Sequence, residues 1–219
     1  LQRVEALSDL VVATSRDQAD DALVDYVTGL GVRVIRGSLD DVLARFLDVL
    51  DVVPAEVIVR LTADCPLASP RVIDRVVRAF QECEVDYASN TLEPTYPDGL
   101  DVEVVRASAL RWVAEHSTDG PEHEHVTLGV YRRPERFVCL NVRGDLDLSN
   151  LRWTVDTADD LVFVQRIYDM LYPTRPEFEL EDILDLLERY PDLRRTVEDA
   201  PRNAALDGLE TGAMRHRTP

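Results

Sequence analysis

Over the first ninety residues, short apolar runs alternate with amphipathic stripes, and this alternation leaves the chain few architectures. Leu10–Thr14, Val32–Arg36, Glu56–Leu61 and Asp86–Ser89 read as strands, bounded by turn and cap residues. Gln18–Leu30, ended by Gly31, Leu39–Leu50 and Pro70–Glu82 read as the helices between them. The second helix carries apolar residues at 39, 42, 43, 46, 47 and 50, one continuous stripe, and Ser38 with Asp41 resembles a capping box at its start. Ser69 suits an N-cap and Pro70 the first helical position. Strand–helix alternation of this kind builds a mainly parallel sheet with helices on both faces, a three-layer α/β/α arrangement.

Beyond residue 90 the rhythm changes. Pro94, Pro97, Asp98 and Gly99 mark a loop, and Leu100–Val105 alternates polar and apolar as a half-exposed strand does. Helices are expected at Ala107–His116 and Glu122–Arg132, strands at Phe137–Val142 and Leu151–Val155. Thr157 with Asp160 forms a second capping box, opening a helix through Tyr172, and Glu179–Tyr190 is a further helix. The apolar pattern fades from about Asn203. One domain over residues 1–203 and a flexible tail over 204–219 are therefore expected, and 219 residues suffice for a substantial core.

The formal net charge of −18 argues against a nucleic-acid partner, because phosphate backbones require basic patches. It leaves nucleotide substrates open, since a divalent cation can neutralise phosphates locally. Every basic residue is Arg, so lysine-based catalysis is excluded. No apolar run is long enough to span a bilayer, and there is no secretory signal pattern. Cys65, Cys83 and Cys139 form no CxxC pair, and free thiols in a reducing cytoplasm are the simplest reading.

Asp64 falls just past the carboxyl end of the third strand, where ligands bind in open α/β sheets. Asp156, in Arg152-Trp-Thr-Val-Asp-Thr157, has the same local setting. Two carboxylates at strand ends can share a hard cation such as Mg²⁺ while leaving positions for water and phosphate. Either aspartate alone reads equally well as a turn or cap residue. Arg60, Thr62 and Ala63 flank Asp64 and are candidates for nucleotide contact. Arg152 could bind phosphate or carboxylate through its fork, or form a simple ion pair. His123 and His125, two apart, do not share a helix face, which favours hydrogen bonding over metal ligation. Cys65 has no activating base nearby in sequence and reads as a small loop residue. Trp112 and Trp153 read as core or interface.

Val59-Arg-Leu-Thr-Ala-Asp-Cys-Pro-Leu67, Ser89-Asn-Thr91, Tyr96-Pro-Asp-Gly-Leu-Asp-Val-Glu-Val104, Glu124-His-Val-Thr127 and Leu151-Arg-Trp-Thr-Val-Asp-Thr157 occur in this order. Together they resemble the cytidylyltransferase family named for spore-coat polysaccharide biosynthesis, a relative of the CMP-Kdo and CMP-sialic acid synthetases. The resemblance runs from Leu1 to about Asn203. It implies a Rossmann-like, GT-A-like nucleotidyltransferase fold and transfer of CMP from CTP to a sugar or sugar acid with release of pyrophosphate. It matches Asp64 and Asp156 to the two aspartates that bind Mg²⁺, and Asn90, Thr91, Asp98, Asp101 and Glu103 to the sugar side. Each of these five also reads as a turn or exposed-strand residue. The second metal motif is Asp-Thr-Ala-Asp-Asp160 here, a mild departure. The family also opens with a strand and a glycine- and arginine-containing triphosphate loop, which is not among these 219 residues; an additional N-terminal segment is the favoured expectation.

Two other functions remain in view: a nucleotide-sugar-dependent glycosyltransferase, for which Asp145-Leu-Asp147 has a suitable metal spacing, and a non-catalytic homologue. The free thiols and the lack of a signal pattern lead to a cytoplasmic expectation, and the resemblance further implies a homodimer, with Leu100–Arg132 contributing to its interface.

Overall fold

The computed structural model describes residues 1–198. The tail expected at 204–219 and the domain limit at 203 lie outside them. β1 (Val11–Ser15) and β2 (Arg33–Gly37) form a parallel pair, with α1 (Asp21–Gly29) between them in sequence. α2 (Val42–Val52) packs on this pair. Its N-cap is Asp41, whose carboxylate accepts the Ala44 amide at 2.8 Å, while Ser38 only supports Asp41 from outside.

The main sheet has four strands in the order β3-β5-β4-β6, namely β3 (Val57–Arg60), β4 (Tyr87–Ser89), β5 (Glu103–Arg106) and β6 (Cys139–Asn141). β3, β4 and β6 run one way, and β5 is antiparallel to both of its neighbours. No helix lies between β4 and β5, so the chain returns beside β4 as antiparallel pairing permits, whereas a parallel return needs a longer crossover. α3 (Pro70–Glu82) opens on Ser69, which accepts the Val72 amide at 3.3 Å, with Pro70 in its first turn.

The pleat divides the sheet between two cores. Val59, Val104, Ala88 and Leu140 are laterally paired and face a cluster built by α3, α7 (Ala158–Leu171) and α8 (Leu180–Arg189). Ile58, Val105, Tyr87 and Cys139, one residue away on each strand, face a second cluster with α2 and α4 (Ala107–His116). Helices therefore cover both faces, as the alternation predicts. Each large apolar side chain buried in this way stabilises the fold by about 1.5–3 kcal/mol.

Three expected elements differ. The strand expected half-exposed over Leu100–Val105 is β5, Glu103–Arg106, and its Glu103, Val104 and Val105 are buried because it is an inner strand of a sheet covered on both faces. The helix expected at Glu122–Arg132 is split into α5 (Gly120–Glu124) and α6 (Leu128–Tyr131). Val126 between them has φ 51°, a left-handed conformation that a helix cannot continue and that a β-branched residue adopts only under strain. Leu151–Val155 makes only single bridges, Asp98 with Arg152 and Leu151 with Thr196, because its polar backbone groups are taken up by loops instead of a neighbouring strand.

Candidate active site

Where β3, β4 and β6 end, the sheet turns polar. The row after the apolar pairs consists of Arg60, Glu103, Ser89 and Asn141, side by side across the four strands. Glu103 is buried and accepts hydrogen bonds from the Tyr87 hydroxyl at 2.6 Å and from the Thr127 hydroxyl, and it pairs with the Arg60 guanidinium. Burial disfavours the charge on Arg60, but Glu103 more than offsets this and holds Arg60 firmly protonated. Burial, reinforced by the Glu103 carboxylate, pushes the neighbouring Tyr131 phenol up to about 12.

Three loops meet above this row. The Val155 amide donates to the Asp64 carbonyl at 2.9 Å, which brings the loop after β3 against the segment that carries Asp156. The Asp98 amide donates to Leu151 O at 2.9 Å, and the Trp153 amide to Asp98 O at 2.6 Å. Gly99, at φ 104°, lets the backbones touch here: a Cβ at this position would lie 2.7 Å from the carbonyl carbon of Trp153. Asp64, Asp98, Asp101, Arg152 and Asp156 are thus drawn to one end of the sheet. Asp64 and Asp101 both act electrostatically on the Cys65 thiol, which lies 3.5 Å from the Asp64 carboxylate.

Arg152 is the cation of this cluster, with a side chain only 4% exposed. It reaches Asp98 and Asp160 at 3.4 Å each and donates to Asp156, whose own side chain is 54% exposed. Burial works against the Arg152 charge, and Asp156 and Asp160 outweigh it. The ion-pair reading of Arg152 therefore describes its contacts. Asp160 takes the Thr157 amide at 2.9 Å in the expected capping box.

The remaining candidates divide by setting. Asn90 is fully buried; its amide donates to Leu100 O and its carbonyl accepts the Val102 amide, both at 2.8 Å, so it stitches the end of β4 to the 100–102 segment. Thr91 bonds Ser89 through its hydroxyl at 2.8 Å. Thr62 and Ala63 are exposed beside Asp64, with the Thr62 hydroxyl 3.3 Å from the Cys65 sulfur. Burial and the nearby carboxylates push the Cys65 thiol well above its usual range despite that contact, which disfavours the thiolate a nucleophile needs. His123 bonds Asp41 and Ser117 O, both at 2.9 Å, a hydrogen-bonding role between α5 and the α2 cap. Asp145 pairs with Arg75 at 3.0 Å and Asp147 accepts from Ser149, as a polar loop does. Trp153 lies in the core, and Trp112 stacks on His116 at the edge of the second cluster.

The partners of Glu103, namely Tyr87 and Thr127, and the reach of Asp160 beyond its capping box are not legible in local spacing. Thr127 stands in the Glu124-His-Val-Thr127 motif, which was a usable signal; nothing in its spacing pairs it with Glu103. Among the described residues, no group of three or more His, Cys, Asp or Glu side chains is disposed to hold a metal. The carboxylates of Asp64 and Asp156 are hard oxygen donors, and two of them with substrate phosphates is a usual magnesium set.

The family model for cytidylyltransferases matches residues 1–196. The spore coat polysaccharide biosynthesis protein SpsF of Bacillus subtilis is 33% identical over 187 residues, which cover 84% of this chain and 76% of that protein. An uncharacterized protein of Methanocaldococcus jannaschii is 31% identical over 199 residues, covering 89% and 79% of the two chains. The structure of a cytidylyltransferase from Leptospira borgpetersenii superposes with a TM-score of 0.79 at 28% identity, covering 84% of this chain and 77% of that one. A CMP:2-keto-3-deoxy-manno-octonic acid synthetase complexed with CTP shares the fold, with a TM-score of 0.54 at 16% identity over 77% and 83% of the chains. With a Rossmann-like fold and a family match across nearly all its described residues, this chain belongs to the cytidylyltransferase family and is a CTP-dependent nucleotidyltransferase.

Proposed function

We propose that the protein transfers CMP from CTP to a hydroxyl of a sugar or sugar acid and releases pyrophosphate, with Mg²⁺ held between Asp64 and Asp156. The Val155–Asp64 backbone hydrogen bond carries this reading, because it sets the two aspartate loops side by side at the polar end of the sheet. The sugar hydroxyl gives up its proton to solvent as its oxygen bonds the α-phosphorus, the bond from the α-phosphorus to the oxygen bridging to the β-phosphate breaks, and pyrophosphate leaves with that electron pair. A cation bound by the two carboxylates would lower the charge on the α-phosphate. Arg152 holds Asp156 from the buried side. Thr62 and Ala63 form the rim for the nucleotide with Arg60 beneath them, and Thr91 and Asp101 form the rim for the sugar, with Asn90, Asp98 and Glu103 buried behind them. Positioning and charge do the catalytic work.

The SpsF relationship supports an acceptor used in polysaccharide synthesis. No helix among the described residues is long and apolar enough to cross a membrane, and we place the reaction in the cytoplasm. A homodimer through Leu100–Arg132 belongs to the same proposal on resemblance, although that segment holds none of the exposed large apolar side chains among the described residues. Light scattering giving twice the chain mass is the result expected.

The test is pyrophosphate release from CTP and Mg²⁺ with a panel of sugars and sugar acids, for the wild type, Asp64→Ala and Asp156→Ala. Release that requires both aspartates is expected. Release that survives both substitutions would remove the cation site.

A further inference from the structure

Of the two aspartates assigned to the cation, Asp156 is the one whose direction the surrounding chain must fix, since its side chain is largely open to solvent. The group nearest to doing so is Asp160, which is 1% exposed in the first turn of α7. A capping box requires one bond from the Asp160 side chain, to the amide of the cap residue Thr157. Asp160 makes several more. Its Oδ2 accepts the amide of Asp156 at 3.1 Å, the amide of Thr157 at 2.9 Å and the Thr157 hydroxyl at 2.9 Å. The same oxygen lies 3.4 Å from Nη2 of Arg152, the nitrogen that also donates to Asp156. Its Oδ1 accepts from Arg195 at 3.0 Å. Burial raises the cost of its charge, but the Thr157 hydroxyl and the two amides prevail and keep the carboxyl below its usual range.

One carboxylate thus holds both the backbone of Asp156 and the guanidinium that grips the Asp156 side chain. We propose that Asp160 is a positioning residue for the cation site: it touches neither cation nor substrate, and it presets Asp156 beside the Asp64 loop by fixing Asp156 at the main chain and, through Arg152, at the carboxylate. This rests on the cation reading given above. Partners that orient a metal-binding side chain typically change metal affinity by about 10- to 100-fold when removed.

Mn²⁺ serves as the probe, its binding to the full chain in the presence of CTP read by electron paramagnetic resonance. Asp160→Asn keeps an oxygen for the Thr157 amide but loses the charge facing Arg152 and Arg195. Its Mn²⁺ dissociation constant is expected to rise by about 10-fold or more, and the Mg²⁺ concentration for half-maximal rate should rise with it. Arg195→Gln leaves the cap intact and should shift affinity the same way by a smaller factor, which keeps the test open if Asp160→Asn does not fold. Thr157→Ala removes the hydroxyl half of the cap; it should lower Tm while leaving Mn²⁺ affinity near wild type. Wild-type affinity in Asp160→Asn overturns the proposal, or in Arg195→Gln should Asp160→Asn not fold. So does an affinity loss in all three variants that simply follows Tm. A wild-type protein that binds no Mn²⁺ with CTP overturns the cation reading itself, and is distinguishable because the failure precedes any substitution.

Discussion

The amide of Val155 donates to the carbonyl of Asp64 at 2.9 Å, across a sequence gap that no local pattern spans. This bond closes the loop after β3 onto the segment before α7. The proposed cation site depends on it, and so do the consequences of disturbing either loop.

Gly99→Ala should be among the most damaging single-methyl additions in the protein. The new Cβ would meet backbone atoms of Trp153 and Thr154 at 2.7–2.9 Å, and the φ of 104° disfavours any side chain. A loss of roughly 1–3 kcal/mol is expected from the backbone conformation alone, with further loss from the displaced 152–154 segment. Urea unfolding and CTP-dependent pyrophosphate release should fall together; unaltered activity would show that the Asp98–Trp153 contact does not position the site.

Arg152→Met should cost about 3–5 kcal/mol, as removal of one partner from a buried ion cluster does. Arg71→Met is the control, because the Arg71–Glu181 pair is exposed at 69% and 61%. Loss there should stay below about 1 kcal/mol. Equal effects in chemical denaturation would contradict the buried role given to Arg152.

His123 ties α5 to the cap of α2, and its pKa is raised by its bonds to Ser117 O and to Asp41. A raised histidine pKa stabilises the fold fully below the unfolded value of about 6.5. That contribution disappears as pH rises through the folded value. Tm of the wild type should therefore decline above pH 6.5 relative to His123→Gln, and the difference between the two should be largest on the acid side. Parallel Tm curves from pH 5 to 9 would show that His123 is not protonated in the fold.

The Cys65 thiol, pushed up by burial and by Asp64 and Asp101, should alkylate far more slowly at pH 8 than a free thiol. Mass spectrometry of peptides after timed iodoacetamide treatment gives the rate. Fast modification, or loss of all activity in Cys65→Ala, would reopen a chemical role for this residue.

Local features are legible in the order of residues. Hydrophobic period and cap chemistry mark the β–α alternation, the Ser69-Pro70 start of α3 and the Thr157–Asp160 box, because those interactions join residues a few positions apart. The motifs carrying Asp64 and Asp156 point to the carboxyl end of the sheet for the same reason: strand and cap adjoin them. How distant pieces meet is settled by packing in three dimensions. β5 runs antiparallel because no crossover helix separates it from β4. The expected helix at 122–132 breaks at Val126, fully buried beside Thr127, which bonds Glu103. Arg60 finds Glu103, and Arg152 finds Asp98, through hydrogen bonds and charge between strands and loops far apart in the chain. Side-chain period carries no information about such pairings. They are set by which groups burial leaves facing one another and by the cost of leaving any of them unpaired.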